Sequence, residues 1–188
     1  MTNKLNIKVK IDENNQSDTL GTFELQPLER GYGITLGNSL RRVLLTCIPG
    51  AAITNIRIDG VQHEFSTIKG VREDVADIIQ NLKGVRFKLM ENDPDKVTLT
   101  VKGPGKFTAK DIQKASDQFK ILNGNHYITE LNKDAKMDIE LRIGIGKGYV
   151  PSEENELPNA PVGTLAIDSI FNPVTKVTYD VSPVPGAK

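Results

Sequence analysis

Apolar residues follow two different rhythms along this chain, and the changes of rhythm mark its elements. Leu5, Ile7, Val9 and Ile11 alternate with polar neighbours, DENNQSD interrupts them, and Leu20, Phe23 and Leu25 resume the apolar pattern. That alternation predicts a hairpin over the first 27 residues, in an antiparallel sheet with one wet face. Residues 35–47 change to helical period. Leu36, Leu40, Val43, Leu44 and Cys47 fall at i, i+4, i+7, i+8 and i+11, one stripe of a helix. Thr35 is the expected N-cap, and Pro49-Gly50 ends the helix. Leu45 and Ile48 lie beside the stripe and make the apolar face wider than one small sheet usually covers.

Residues 52–61 return to strand alternation, with Ile53, Ile56 and Ile58 as the apolar set. A second helix is predicted over 71–83, where Val71, Val75, Ile78, Ile79 and Leu82 repeat the same spacing. Glu73 and Asp74 would occupy its first turn, where the helix dipole favours anions, and Lys83-Gly84 would close it. Strands dominate afterwards: VRFKLM, KVTLTV, a looser KFTAKDIQKASDQF, HYITEL, KMDIELRIGIG, TLAIDSIF and VTKVTYDV. ENDPD (91–95) reads as a hairpin turn, VPSEENELPNAPVG (150–163) as a surface loop, and SPVPGAK as a frayed end. The expected class is α+β, with two lobes because the first 50 residues and the remainder carry separate hydrophobic patterns.

Composition narrows the function. The 188 residues carry no net charge, with a pI near 6.7, so nothing global draws the chain to nucleic acid or an anionic membrane. No stretch approaches the roughly 18 apolar residues of a membrane span. The N-terminus has no signal-peptide core, and the one cysteine fits a reducing cytoplasm. Cys47, on the stripe, is expected to be an inert core thiol. His63 and His126 are far apart with no Cys or acid cluster at metal spacing, so no metal and no cofactor are expected. No nucleophile–base arrangement stands out, so no catalytic residue is assigned.

One stretch carries most of the chemistry: LERGYGITLGNSLRRVLL, residues 28–45. Gly31, Gly33 and Gly37, a following helix and Asp59 about 20 residues on follow the order of a dinucleotide-binding βαβ unit. Against that reading, four residues separate the strand from the glycines, and the strand alternates where a buried parallel strand would be continuously apolar. The other reading makes Gly31 and Gly33 turn or close-packing glycines, with Gly37 admitting a neighbouring backbone. Arg41 and Arg42 sit on successive positions of a helix with few acids, beside an over-wide apolar face. Arginines so placed suit a buried partner surface. The later Gly-rich run at 144–148 lacks the Gly-Lys-Ser/Thr ending of a phosphate loop and reads as a strand bend.

Residues 28–84, from LERGYGITLGNSLRRVLL to ADIIQNLKG, closely resemble the N-terminal domain of bacterial RNA polymerase alpha subunits. GKGYVP (146–151), PVGTLAIDSIFNPVTKVTYDV (161–181) and the opening hairpin extend the resemblance over most of the chain. It implies a non-catalytic scaffold that forms a homodimer and then recruits the beta and beta-prime subunits. It also implies a dimerisation lobe (1–49 plus 176–188) with a strand-rich lobe (50–175) inserted into it. Leu36, Leu40, Val43 and Leu44 would belong to the dimer core, and Gly37 and Asn38 to the helix entry. Arg42 would contact beta, joined by Arg41 and Leu45. His63, Glu64, Phe65 and Ser66 match a motif beside the beta-facing loops, and Lys176 matches a basic position near the large subunits. The family's second dimerisation helix and its DNA-contacting C-terminal domain have no counterpart here, so no direct DNA binding is expected. A cytoplasmic protein, nucleoid-associated through the polymerase, follows. Two rivals remain: a nucleotide-binding enzyme using Gly31, Gly33 and Gly37, and an alpha-like chain pairing with a shorter, different subunit.

Overall fold

The computed structural model describes residues 7–89 and 96–183, and the predicted turn at 91–95 and the last five residues lie outside them. The chain divides into two compact units, residues 1–44 with 176–188, and residues 45–175. The class is α+β, and every strand pairing among the described residues is antiparallel.

The smaller unit opens with the expected hairpin. Strand β1 (Lys8–Ile11) pairs with β2 (Phe23–Gln26), from Lys8↔Gln26 to Ile11↔Phe23. Helix α1 (Tyr32–Thr46) starts three residues earlier than the sequence suggests, so Thr35 lies inside it and caps nothing. Gly31, at φ +89°, makes the turn that launches the helix, and the Tyr32 amide donates to the Glu29 carbonyl at 3.1 Å. Gly33 and Gly37 sit within the helix because side chains lie against them. A Cβ on Gly33 would come within 2.7 Å of Val181, and one on Gly37 would overlap the Tyr179 ring. VTKVTYDV is therefore not a strand: residues 174–181 join no ladder, and Tyr179 and Val181 fill the glycine notches of α1 instead.

In chain order the larger unit holds β3 (Pro49–Ile58), α2 (Val75–Lys83), β4 (Phe87–Leu89), β5 (Lys96–Lys102), β6 (Gly105–Thr108) and α3 (Ala109–Gln113). Then come β7 (Phe119–Ile121), β8 (Tyr127–Leu131), β9 (Lys136–Lys147), β10 (Tyr149–Val150), β11 (Thr164–Ala166) and β12 (Ser169–Ile170). The main sheet runs β5-β9-β3-β4-β7, with β11 also pairing β3, while β6 pairs β8 and β10 pairs β12. The β3–β9 ladder is the longest, and it slips once, between Ile53 and Asn55. Thr54 is the extra residue of this bulge. A side-chain period of two would send Ile53 and Ile56 to opposite faces, and the bulge returns Ile53, Ile56 and Ile58 to the same one. All three are buried.

That inner face carries the core. Met137, Ile139, Leu141 and Ile143 of β9 and Val97 and Leu99 of β5 are buried with Val75, Ile78, Ile79 and Leu82 of α2. Each such side chain contributes roughly 1.5–3 kcal/mol of transfer free energy. Phe87 and Phe119 meet edge to face, 5.3 Å apart, at the β4–β7 end. There Gln113 of α3 bonds the backbone of the last strand, donating to the Phe119 carbonyl (2.8 Å) and accepting from the Ile121 amide (2.6 Å). The β7 edge is thereby closed to further strands.

Helix α2 begins at Val75, four residues later than its periodicity suggests, with Asp74 as N-cap accepting from the Asp77 amide at 2.8 Å. The first predicted turn is lost because β8 competes for it. Val71 bridges Leu131, and the Glu73 carboxylate accepts from the Tyr127 hydroxyl (2.6 Å), the Thr129 hydroxyl (2.7 Å) and the Glu130 amide (3.1 Å). Burial resists ionisation of Glu73, but these hydrogen bonds outweigh it and the carboxyl titrates below its ordinary 4.5. Burial first, then the Glu73 carboxylate, pushes Tyr127 up to about 12. The depressed Glu73 stabilises fully above its unfolded value and loses that contribution as pH falls through the folded one. The raised Tyr127 works in the opposite sense, stabilising fully below pH 10 and losing its contribution as pH rises toward 12. Glu73→Ala is expected to cost about 2 kcal/mol at pH 7 and to weaken the acid sensitivity of unfolding, measured by urea titration at pH 7 and pH 3.

The outer face of the sheet is polar at one end and covered at the other. The segment 150–163, expected as a surface loop, contains a short 3-10 turn (Ser152–Asn155) whose last residue ties the cover down. Asn155 donates to the Ile167 carbonyl (2.7 Å) and the Ser169 hydroxyl (3.0 Å), and its own carbonyl accepts from the buried Asn55 side chain (2.8 Å). Ser169, also buried, donates to the Ile53 carbonyl at 2.8 Å. The network satisfies the polar groups that burial would otherwise penalise. Beside it, Gly50 and Gly146 pair across the ladder and Phe171 lies over them. The glycine run at 144–148 is thus the seat of a phenylalanine.

Candidate interaction surface

Helix α1 has no buried residue. Leu36 and Leu44 are half-buried, while Leu40 and Val43 keep 40% and 50% of their surface exposed. The hairpin is equally open: Val9, Ile11 and Phe23 share one face and are all exposed. An amphipathic helix exists as such only when its apolar stripe is covered, since a 15-residue helix alone is marginal in water. The stripe is therefore a candidate surface for a partner.

Arg41 and Arg42 are exposed on α1, which contains no acidic residue, and Leu45 is half-buried. Cys47 is exposed, not a core thiol, and its sulfur lies 3.4 Å from the Thr46 hydroxyl. His63, Glu64, Phe65 and Ser66 form a surface loop of the larger unit, where His63 Nδ1 and the Ser66 hydroxyl are 3.2 Å apart and Phe65 is 79% exposed. Lys176 is exposed in the smaller unit, on extended chain and not on a strand.

The glycine turn does not make a nucleotide site. Its preceding strand belongs to an antiparallel hairpin, and Gly33 and Gly37 lie inside the helix with Val181 and Tyr179 against them. Gly37, the sixth residue of α1, lies past the first turn, whose free amides are the ones that hold an anion. An open depression of about 350 Å³ lies on the outer sheet face, lined by Arg57, Asp59, Thr98, Asp138 and Glu140 among others. Its central carboxylate is already answered: Glu140 Oε2 is 2.8 Å from Arg57 and 2.7 Å from Lys96. Burial disfavours its charge, yet the two cations hold it below the usual carboxylate range. Such a carboxylate stays ionised and paired, which suits a sheet surface better than acid–base chemistry. Among the described residues no group of three or more His, Cys, Asp or Glu could hold a metal ion, and no helix is long and apolar enough to cross a membrane.

Sequence reasoning placed Glu73 in a helix turn and not against Tyr127 and Thr129, and it did not find Asn155, Gln113 or the seat under Phe171. Only the last left a signal, glycines at every second position of a strand, which marks a face that something lies against.

An α+β fold whose open surface is apolar and cationic agrees with comparison to known proteins. Residues 56–172 match the RNA polymerase Rpb3/RpoA insert domain, and the chain belongs to that family. The matched residues all fall in the larger unit. The chain is 54% identical over 167 residues to the DNA-directed RNA polymerase subunit alpha of Salinibacter ruber, covering 89% of this chain and 51% of that protein. It is 52% identical over 174 residues to the subunit of the same name from Prosthecochloris aestuarii, and 53% identical over 174 to that from Alkaliphilus oremlandii. Each of those alignments covers 93% of this chain. The chain spans about half the length of the curated relatives it matches.

Proposed function

We propose that the chain serves as the assembly scaffold of an alpha-type subunit of DNA-directed RNA polymerase. It pairs with a second copy through Leu36, Leu40, Val43 and Leu44, and it then recruits the beta and beta-prime subunits. The observation that carries this reading is a 15-residue amphipathic helix with no buried side chain, in a chain about half identical to alpha subunits. In this reading a second copy covers the stripe, and the hydrophobic effect drives the pairing. Arg42, with Arg41 and Leu45, contacts beta, where a guanidinium fork can make several directional hydrogen bonds. His63–Ser66 and Lys176 add contacts to the large subunits, which carry the catalysis. The protein acts in the cytoplasm, on the nucleoid through the polymerase.

The test is co-expression with bacterial beta and beta-prime, affinity capture of this chain, and light scattering of what is captured. Wild type is expected to retain beta, and Arg42→Ala to weaken retention at least about tenfold, as for an interface hot spot. Equal retention by a folded Arg42→Ala chain would remove Arg42 from the contact. Failure of folded wild type to retain beta would sink the scaffold reading.

A further inference from the structure

The β4–β7 pair carries two lysines for which the described residues supply no acidic partner, beside an arginine whose guanidinium donates to the Lys83 carbonyl at 3.4 Å. Lys88 and Lys120 are register partners, directly opposite each other. Their neighbours Phe87, Phe119 and Ile121 are buried, so both lysines point away from the core, and both are exposed. The pairing continues one step further, where the Leu122 amide donates to the Arg86 carbonyl at 2.9 Å. Arg86 and Leu122 thus lie on the same outward face, and Leu122 is 61% exposed. The result is a compact rectangle of three cations and one bare leucine on a protein with no net charge.

Like charges directly opposed across a ladder destabilise it, and sequences usually alternate them. The β5–β9 ladder also opposes like charges, Lys96↔Arg142 and Lys102↔Lys136, but there acids answer them: Glu140 lies 2.7 Å from Lys96 and Asp138 lies 2.6 Å from Lys136. None of the ion pairs among the described residues uses Lys88 or Lys120. Opposed lysines left without an acid on an exposed face, next to an uncovered apolar side chain, mark a surface kept for a ligand. The backbone edge of β7 is taken by Gln113, so strand addition is not the mode of docking. The cations call for an anionic partner, and the exposed leucine calls for an apolar contact among them, which phosphodiesters do not supply.

We propose that the outward face of Arg86, Lys88, Lys120 and Leu122 docks an acidic protein segment that places one apolar side chain against Leu122. The surface belongs to the larger unit and does not depend on α1, so it stands or falls separately from the scaffold reading.

Two measurements on the whole chain test it. In the first, Lys88→Glu creates an opposite-charge partner for Lys120 and is expected to raise the Tm by about 1–3 °C. A fall in Tm would mean that Lys88 is already neutralised within the chain, and would overturn the proposal. In the second, fluorescence anisotropy follows binding of a labelled peptide of Glu and Asp around one leucine. A peptide with serine for that leucine, and a single-stranded DNA of similar charge, are compared with it. The leucine peptide is expected to bind at submillimolar Kd, at least about tenfold tighter than the serine peptide or the DNA. The reversal K88E/K120E should weaken it at least about tenfold, while Leu122→Ser should erase the preference for leucine. No binding by wild type, equal binding by the reversed variant, or DNA bound as tightly as the peptide would each overturn the assignment.

Discussion

Replacing Gly146 by valine is expected to lower the stability of the chain by about 3 kcal/mol, through overpacking against a ring that cannot retreat. An ideal Cβ at this position would lie 2.5 Å from a Phe171 ring carbon, with two more ring atoms within 2.8 Å. Phe171 is 5% exposed, and its amide is tied to the Gly148 carbonyl at 2.9 Å. The opposing effect, better strand propensity for a β-branched residue, is worth at most about 1 kcal/mol. Phe171→Ala alone is expected to cost about 3 kcal/mol. The double variant should cost clearly less than the sum, because the clash disappears with the ring. Urea unfolding of the four proteins decides it. A loss below about 1 kcal/mol for Gly146→Val, or additivity in the cycle, would show that the phenylalanine is not seated on the glycines.

The second large effect concerns association. Leu40→Asp with Val43→Asp is expected to leave folding of the single chain nearly unchanged, because both positions are already 40–50% exposed. At an interface the same change buries two carboxylates without partners, and each costs several kcal/mol. Self-association should therefore weaken at least about 100-fold, roughly 2.7 kcal/mol. Sedimentation or light scattering at tens of micromolar would show wild type as a pair and the variant as single chains. An unchanged mass would place the pairing surface elsewhere than on the α1 stripe.

Much of the fold could be read from local pattern, and the exceptions have a common cause. The strands of the hairpin and β9 were legible because each alternates, and the α1 stripe because Leu36, Leu40, Val43 and Leu44 share one helical face. Thr35 looked like a cap and Gly33 like a turn residue because threonine favours caps and glycine disfavours helix interiors. What overrides those preferences is Tyr179 and Val181, more than 140 residues further along. The same two side chains explain why VTKVTYDV alternates like a strand yet has no strand partner: its alternate residues face a helix. Glu73 was assigned to a helix N-terminus by its position, but Tyr127 and Thr129 offer it better hydrogen bonds than the helix dipole does. In the candidate site, geometry supports the open stripe of Leu36, Leu40, Val43 and Leu44. The roles of Arg41, Arg42, Leu45, His63–Ser66 and Lys176 rest on resemblance, since spacing cannot name a partner.

The notches of α1 also set a schedule for synthesis. Gly33 and Gly37 leave the ribosome early, whereas Val181 and Tyr179, which fill them, emerge roughly 140 residues later. At about 5–20 residues per second the delay is on the order of 7–30 s. All of residues 45–175 are made within that interval. The larger unit can therefore complete its sheet while the nascent helix still has empty notches, and α1 is finished by side chains translated long after its own.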